Sequence, residues 1–308
     1  MGTPDFAVAP LKLLVENGYN VVAVVTAIDK PAGRGQKIQQ SAVKIYSQSV
    51  GLPVLQPQKL KDENFANELR SYNAELFIVV AFRMLPEIVW QMPSLGTFNL
   101  HASLLPQYRG AAPINWAIIN GEKTTGVTTF FINNEIDTGK TIFSAKVEIA
   151  QDDNLGTLHD KLMLIGAELV VKTVDAIATE NVCTCKQLES DNLKSAPKIF
   201  KDSCKINFLQ IPEKIYDFIR GLSPYPTAWC EFTKEEQNVS AKIYAATYEN
   251  SEHNLPVGTI KSDGKSFLKI ACNGGFICVG DIHIAGKKRL LIREFLAGFR
   301  DIEKYFVK

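Results

Sequence analysis

Leu76-Phe77-Ile78-Val79-Val80-Ala81-Phe82 is apolar at every position. A strand apolar on both faces belongs inside a sheet that is covered on both sides, as in parallel α/β layers. Upstream, Thr3 can cap a helix with Pro4 at its first position, and Phe6, Ala7, Leu11, Leu14 and Val15 recur near helical spacing until Gly18 stops it. Residues 21–26 read as a buried strand, and helices are expected around 40–48 and 62–72. Downstream, residues 97–101 and 127–132 continue the sheet. A long amphipathic helix over 155–177 then carries Leu158, Leu162, Ile165, Leu169 and Val174 on its apolar face.

From residue 180 to 205 the apolar periodicity fails and Lys, Asp, Ser, Asn and Pro dominate, which reads as an inter-domain linker. Beyond it come a short helix over 212–220, ended by Gly221, and strands at 228–232, 239–248, 257–260, 267–271, 276–279 and 290–296. Turn signals at Ser262-Asp263-Gly264 and Asn273-Gly274-Gly275 separate them, so a small antiparallel barrel is expected. The expected division is a first domain over 1–183, a linker over 184–205 and a second domain over 206–308.

Of the 308 residues 46% are apolar and 22% charged, which excludes long disorder and a disulfide scaffold. No apolar run reaches the ~18 residues of a membrane span, and the start has no basic region followed by an apolar one, as a secretory signal would. A cytoplasmic monomer without a membrane partner is expected. The six cysteines include no pair at the two-residue spacing of zinc or redox sites, so buried reduced thiols and no metal are expected. A net charge of +1 hides an asymmetry: residues 1–195 hold 17 basic against 20 acidic side chains (−3), and residues 196–308 hold 17 against 13 (+4). A basic second half suits a polyanion.

The chemistry concentrates in Gly96-Thr97-Phe98-Asn99-Leu100-His101-Ala102-Ser103-Leu104-Leu105-Pro106-Gln107-Tyr108-Arg109-Gly110. On a strand, side chains two apart share a face, so Asn99 and His101 point together while Phe98 and Leu100 face the opposite layer. They sit at the carboxyl end of the strand, where open α/β sheets bind ligands. Ile136-Asp137-Thr138-Gly139, a turn after the next strand, can bring a carboxylate to the same rim. A lone histidine is more often structural than catalytic, and His159, His253 and His283 read that way.

Asn99-x-His101, Ser103-Leu104-Leu105-Pro106-x-Tyr108-Arg109-Gly110 and Asp137-Thr138-Gly139 resemble the folate-dependent formyltransferases. Met1-Gly2-Thr3-Pro4-Asp5-Phe6, Asp29-Lys30-Pro31-Ala32-Gly33-Arg34-Gly35, Gly110-Ala111-Ala112-Pro113-Ile114 and Ala196-Pro197-Lys198-Ile199 extend the likeness over almost the whole chain. The resemblance implies a Rossmann-like α/β domain with a mostly parallel sheet, followed by an OB-like β-barrel. It implies transfer of the formyl group of 10-formyltetrahydrofolate, without a metal, to the α-amino group of methionine esterified to initiator tRNA. Asn99 and His101 would meet the charge that develops on the formyl oxygen, and Asp137 would orient the imidazole and help pass the amine proton on. Phe82, Met84, Leu85, Ser103, Leu104, Leu105 and Pro106 would border the folate.

In the family, the loop around Asp29 to Lys37 wedges into the acceptor stem, a role carried to Arg34 first, with Lys30 and Lys37 beside it. Lys287, Lys288, Arg289 and Arg293 of the barrel would track the outside of the acceptor arm. Arg109 either contacts substrate or holds its loop. Two departures stand out. Family members usually begin with a short strand before the Gly-Thr-Pro-Asp turn, so an upstream extension of roughly eight to ten residues is expected, and Lys140 stands where acidic or apolar residues are commoner. Other readings stay open: a formyltransferase or formyltetrahydrofolate deformylase acting on a small molecule, and a non-catalytic RNA-binding protein.

Overall fold

The computed structural model describes residues 1–32, 37–235 and 237–308. They form two compact units, each discontinuous in sequence. The first comprises Met1–Gly110, Thr124–Glu148 and His159–Ser195, and the second comprises Ala111–Lys123, Ile149–Leu158 and Ala196–Lys308. The continuous boundaries read from the sequence therefore differ from the compact units, since two segments from within the first 183 residues fold with the second unit.

In the first unit a four-stranded sheet runs in the order Phe77–Val80, Thr97–His101, Thr124–Phe131, Thr141–Glu148. Its first pair is parallel and the other two are antiparallel, so the sheet is mixed. Burial on both faces, which the sequence does show, is compatible with either direction. The Thr124–Phe131 strand starts three residues before the expected one and buries Thr125, Thr128 and Thr129, of which Thr129 Oγ1 lies 2.9 Å from Thr173 Oγ1. The Thr141–Glu148 strand gave no clear signal in the sequence.

The expected strand at 21–26 is reduced to Val24–Val25, parallel to Val54–Leu55. Met1 and Gly2 run between this pair and the larger sheet. The Gly2 N–H donates to Val25 O at 3.0 Å, and the Val80 N–H donates to Met1 O at 2.9 Å. The Val25 carbonyl and the Val80 N–H are thereby satisfied. Helices Ala42–Ser49 and Glu63–Ser71 are capped by Ser41, which accepts from the Lys44 N–H, and by Asp62, which accepts from the Asn64 N–H. On one side of the sheet Val25, Leu55, Phe65, Leu69, Phe77, Val79 and Val89 form the core.

The second unit is a nearly closed antiparallel barrel. Its strands run in the order Ile260–Ser262, Leu268–Cys272, Gly275–Ile284, Gln237–Asn250, Ala228–Lys234, Phe306–Val307, with Arg289–Leu291 also paired to Gly275–Ile284. The seam between first and last strands closes where the Val307 N–H donates to Gly258 O at 2.9 Å. The Pro212–Gly221 helix plugs the barrel with Ile215 and Ile219. Helix Pro113–Ile119 belongs to this unit because it meets Gly221 so closely that a Cβ there would lie 2.7 Å from Ile119. The strand expected at 290–296 is a correction: only Arg289–Leu291 is strand, and Ile292–Gly298 is helix. The Leu291 N–H donates to the Glu294 carboxylate at the helix start, and helical spacing buries Phe295 and Leu296 together.

Cys204, Cys230 and Cys272 are buried, while Cys183 and Cys185 are exposed rather than buried as the sequence suggested. Gly258 sits at φ +90°, and a Cβ on it would stand 2.1 Å from Val307 O. Gly258→Ala should therefore lose about 1–3 kcal/mol, read as a drop of several degrees in the thermal midpoint. An unchanged midpoint would mean that the seam does not need this close approach.

Candidate active site

The Thr97–His101 strand alternates as expected. Phe98 and Leu100 are fully buried on the side of the Leu155–Ala178 helix, where Gly166 lets the helix close in: a Cβ there would stand 2.8 Å from Leu100 Cδ2. Asn99 and His101 share the other face, Asn99 beside Val79 and His101 opposite Thr128.

Thr128 catches the chain as it leaves the strand. Its hydroxyl donates to Ser103 O at 2.7 Å and accepts the Leu105 N–H at 3.2 Å. Ser103 is itself wholly buried, and its hydroxyl donates to Gln107 O at 2.6 Å. The loop then folds back so that Tyr108, at φ +60°, sets its carbonyl 2.8 Å from His101 Nε2. A carbonyl only accepts, so Nε2 carries the hydrogen, and Nδ1 is left as the nitrogen that can gain or lose a proton.

His101 Nδ1 lies 3.7 Å from Asp137 Oδ2. That is beyond a hydrogen bond, and both side chains are mostly buried. The carboxylate is held in turn by the Gly110 N–H, which donates to Oδ2 at 2.9 Å. Asn99 is half-buried, and among the described residues no hydrogen bond engages its carboxamide. Asn, His and Asp thus converge with one free amide donor and one imidazole nitrogen available for proton exchange.

The Asp-Thr-Gly turn has physical reasons for its composition. Asp137 sits at φ +55°, a left-handed conformation that Asp tolerates better than most side chains. At Gly139 a Cβ would lie 1.6 Å from Phe131 O, so no other residue fits without moving the turn. Gly126 is constrained likewise, because a Cβ there would meet Ala145 O at 2.1 Å and Leu104 at 2.5 Å.

Arg109 is a clamp rather than a free cation. Its Nε and Nη2 donate to Gln187 Oε1 at 3.0 and 2.8 Å, and Nη1 and Nη2 donate to the Glu189 carboxylate. The guanidinium holds the Glu189 carboxyl below its usual range. The Gln187 side chain is buried and donates both its N–H groups, to Asp137 O and Gly139 O, each at 2.8 Å. Neither Gln187 nor the backbone carbonyl of Tyr108 was singled out from the sequence. Tyr108 lay within the quoted motif, whereas Gln187 lies in a stretch whose composition reads only as linker.

Of the seven residues expected around the folate, Ser103 is taken up in holding its loop and Leu104 packs against the Gly126 backbone. Leu105 and Pro106 are half-buried beside them. Leu85 is buried and packs in the core with Val79 and Leu55. Met84 is exposed and Phe82 half-buried. Of the loop residues, Lys30 is exposed on a short strand, Lys30–Ala32, that pairs antiparallel with Lys37–Gln39. The side chain of Lys37 and the whole of Arg34 lie outside the described residues. The loop's base is fixed by Asp29, which accepts from Lys44 Nζ at 2.6 Å and Gln56 Nε2 at 2.8 Å. In the barrel Lys287, Lys288 and Arg293 are exposed. Arg289 is already engaged, donating through Nε and Nη2 to Asp281 and lying 3.9 Å over the Tyr244 ring.

Gly139→Ala should displace the Asp137 turn, at a cost of about 1–3 kcal/mol. Titration of a bound folate analogue, activity and thermal melting check it. A variant with wild-type melting and turnover would show that the turn tolerates the added methyl.

Two family models match the chain: "Formyl transferase" over residues 1–174, and "Formyl transferase, C-terminal domain" over residues 198–300. A methionyl-tRNA formyltransferase from Parabacteroides distasonis is 57% identical over 313 residues, covering 100% of this chain and 97% of the relative. One from Bacteroides thetaiotaomicron is 56% identical, covering 99% and 96%. Among solved structures, a sugar 3N-formyl transferase determined in the presence of dTDP and 5-N-formyl-THF superposes with a TM-score of 0.65 at 20% identity, covering 93% of this chain and 97% of that one.

Proposed function

This chain belongs to the formyl transferase family, and from that premise we propose that it moves the formyl group of 10-formyltetrahydrofolate onto the α-amino group of methionine esterified to initiator tRNA. The observation that carries the reading is likeness along the entire chain, the second unit included, to proteins bearing the name methionyl-tRNA formyltransferase. In this reading the chain works in the cytoplasm, as a monomer and without a metal ion. No helix among the described residues is long and apolar enough to cross a membrane.

The reaction is attack of a neutral amine on a formyl carbon, and its largest electrostatic demand is the negative charge that grows on the formyl oxygen. The unengaged Asn99 carboxamide supplies one preorganised donor. His101 supplies the other when Nδ1 is protonated, with the Asp137 carboxylate 3.7 Å away. The amine must also lose a proton and the departing folate nitrogen must gain one. With Nε2 committed to Tyr108 O and Nδ1 already protonated, the ring has no lone pair to offer, so the Asp137 carboxylate takes up the amine proton and passes it to the departing folate nitrogen, directly or through water. Phe82 and Met84, with Leu105 and Pro106, offer the apolar surface for the folate.

Residues 1–183 supply the chemistry in this scheme and residues 206–308 bind tRNA through Lys287, Lys288 and Arg293, while the Asp29–Lys37 loop grips the acceptor stem. A small-molecule enzyme would use Asn99, His101 and Asp137 alike but would need neither of these basic features. Formylation of charged initiator tRNA, assayed beside glycinamide ribonucleotide and water as acceptors, decides between them. Formyl transfer confined to a small amine or to water would overturn the tRNA reading.

His101→Ala should lower turnover by ~10²–10³ while folding and folate binding survive; wild-type turnover in a folded variant removes His101 from the chemistry. Arg34→Ala should sharply reduce formylation of charged tRNA and leave hydrolysis of the folate donor unchanged. Loss of one phosphate contact should also flatten the log-affinity salt slope by about 1. Unaltered tRNA formylation and salt dependence would return the loop to an ordinary surface turn.

A further inference from the structure

Gln187 lies in the polar stretch that the sequence presents as a linker, yet it is 6% exposed, and its carboxamide is used completely. The two N–H groups go to the carbonyls of Asp137 and Gly139, and the oxygen takes the Nε and Nη2 hydrogens of Arg109. These bonds reach across 50, 48 and 78 positions of sequence and meet on the turn that carries the Asp137 carboxylate. That turn needs holding. Asp137 is a non-glycine residue at φ +55°, and among the described residues its side chain takes a hydrogen bond from the Gly110 N–H alone. The neighbouring chain is tied to the same loop: the Tyr108 N–H donates to Lys194 O at 2.6 Å, and the Lys194 N–H donates to Gln107 Oε1 at 2.9 Å.

We propose that Gln187 is a positioning residue for formyl transfer: by tying the Asp137 and Gly139 carbonyls to Arg109, it sets the Asp137 carboxylate at its distance from His101. The inference rests on the role proposed above for Asp137. A carboxamide suits this place because both carbonyls need a donor and the guanidinium needs an acceptor. Glutamate keeps the acceptor but offers no donor, and alanine offers neither.

The test uses the full chain with four variants: Gln187→Ala, Gln187→Glu, Asp137→Asn, and Gln187→Ala combined with Asp137→Asn. For each, kcat and the KM values for charged tRNA and folate donor are measured beside a thermal melt. Misplacing the carboxylate should lower kcat about 10–100-fold in both Gln187 variants, with both KM values within about two-fold of wild type. The double variant should be no more than about two-fold slower than Asp137→Asn alone, because groups acting through one another are not additive. If Gln187→Ala fails to fold, Gln187→Glu, which retains the Arg109 pairing, decides. A folded Gln187 variant with near-wild-type kcat, a loss confined to KM, or additive losses in the double variant would each overturn the inference. A crippled Asp137→Asn beside an intact Gln187→Ala sinks the positioning role alone. Wild-type turnover in Asp137→Asn sinks the proposed role of Asp137, and this inference with it.

Discussion

The Thr97–His101 strand is held in register from both sides, Phe77 to Val80 pairing with Thr97 to Leu100 along one edge and Thr128 to Phe131 pairing with Phe98 to His101 along the other. Because side chains alternate, this register decides at once which residues face the long helix and which face the site. Phe98 and Leu100 fill the space beneath Gly166, and a slip of one position would bury Asn99 and His101 there instead, leaving polar groups without partners. Core packing and the placement of the chemistry are therefore one constraint. A close-packed helix contact is also a statement about the orientation of an imidazole on the far face.

Beyond the strand, the site is made of backbone held in uncommon conformations. Tyr108 and Asp137 both adopt positive φ without being glycine, a cost on the order of 1–2 kcal/mol each. Each is tied by hydrogen bonds from several directions: Tyr108 through His101 and Lys194, Asp137 through Gly110 and Gln187. Strain held this way fixes charged and donor groups in place. Thr128 serves the same end with a single hydroxyl that bonds both sides of the turn at Ser103 and Leu105.

In the second unit the barrel seam includes a backbone hydrogen bond at a glycine that no other residue could replace without strain. Its charge is less evenly available than a count of basic residues implies. Arg289 is neutralised by Asp281, so the exposed positive charge near the Gly275–Ile284 and Arg289–Leu291 hairpin comes from Lys287, Lys288 and Arg293.

Much of this was legible in the sequence because it depends on local periodicity. The strand at 97–101, the helix at 155–177, the barrel strands and the pairing of Asn99 with His101 on one face all follow from spacings of two or of three to four residues. The helix at Ile292–Gly298 was missed because its apolar residues are too few to separate a helical from an alternating pattern. Strand direction, the discontinuous division into units and the partners of Arg109 were out of reach for another reason. Each depends on contacts between residues far apart in the chain, for which periodicity carries no signal. Gln187 makes the point most clearly. By itself the sequence determined that Asn99 and His101 stand together on one face of a strand. Only the tertiary structure decided what fixes them there, because a carboxamide bonded across some fifty residues is set by the path of the folded chain and not by any local pattern.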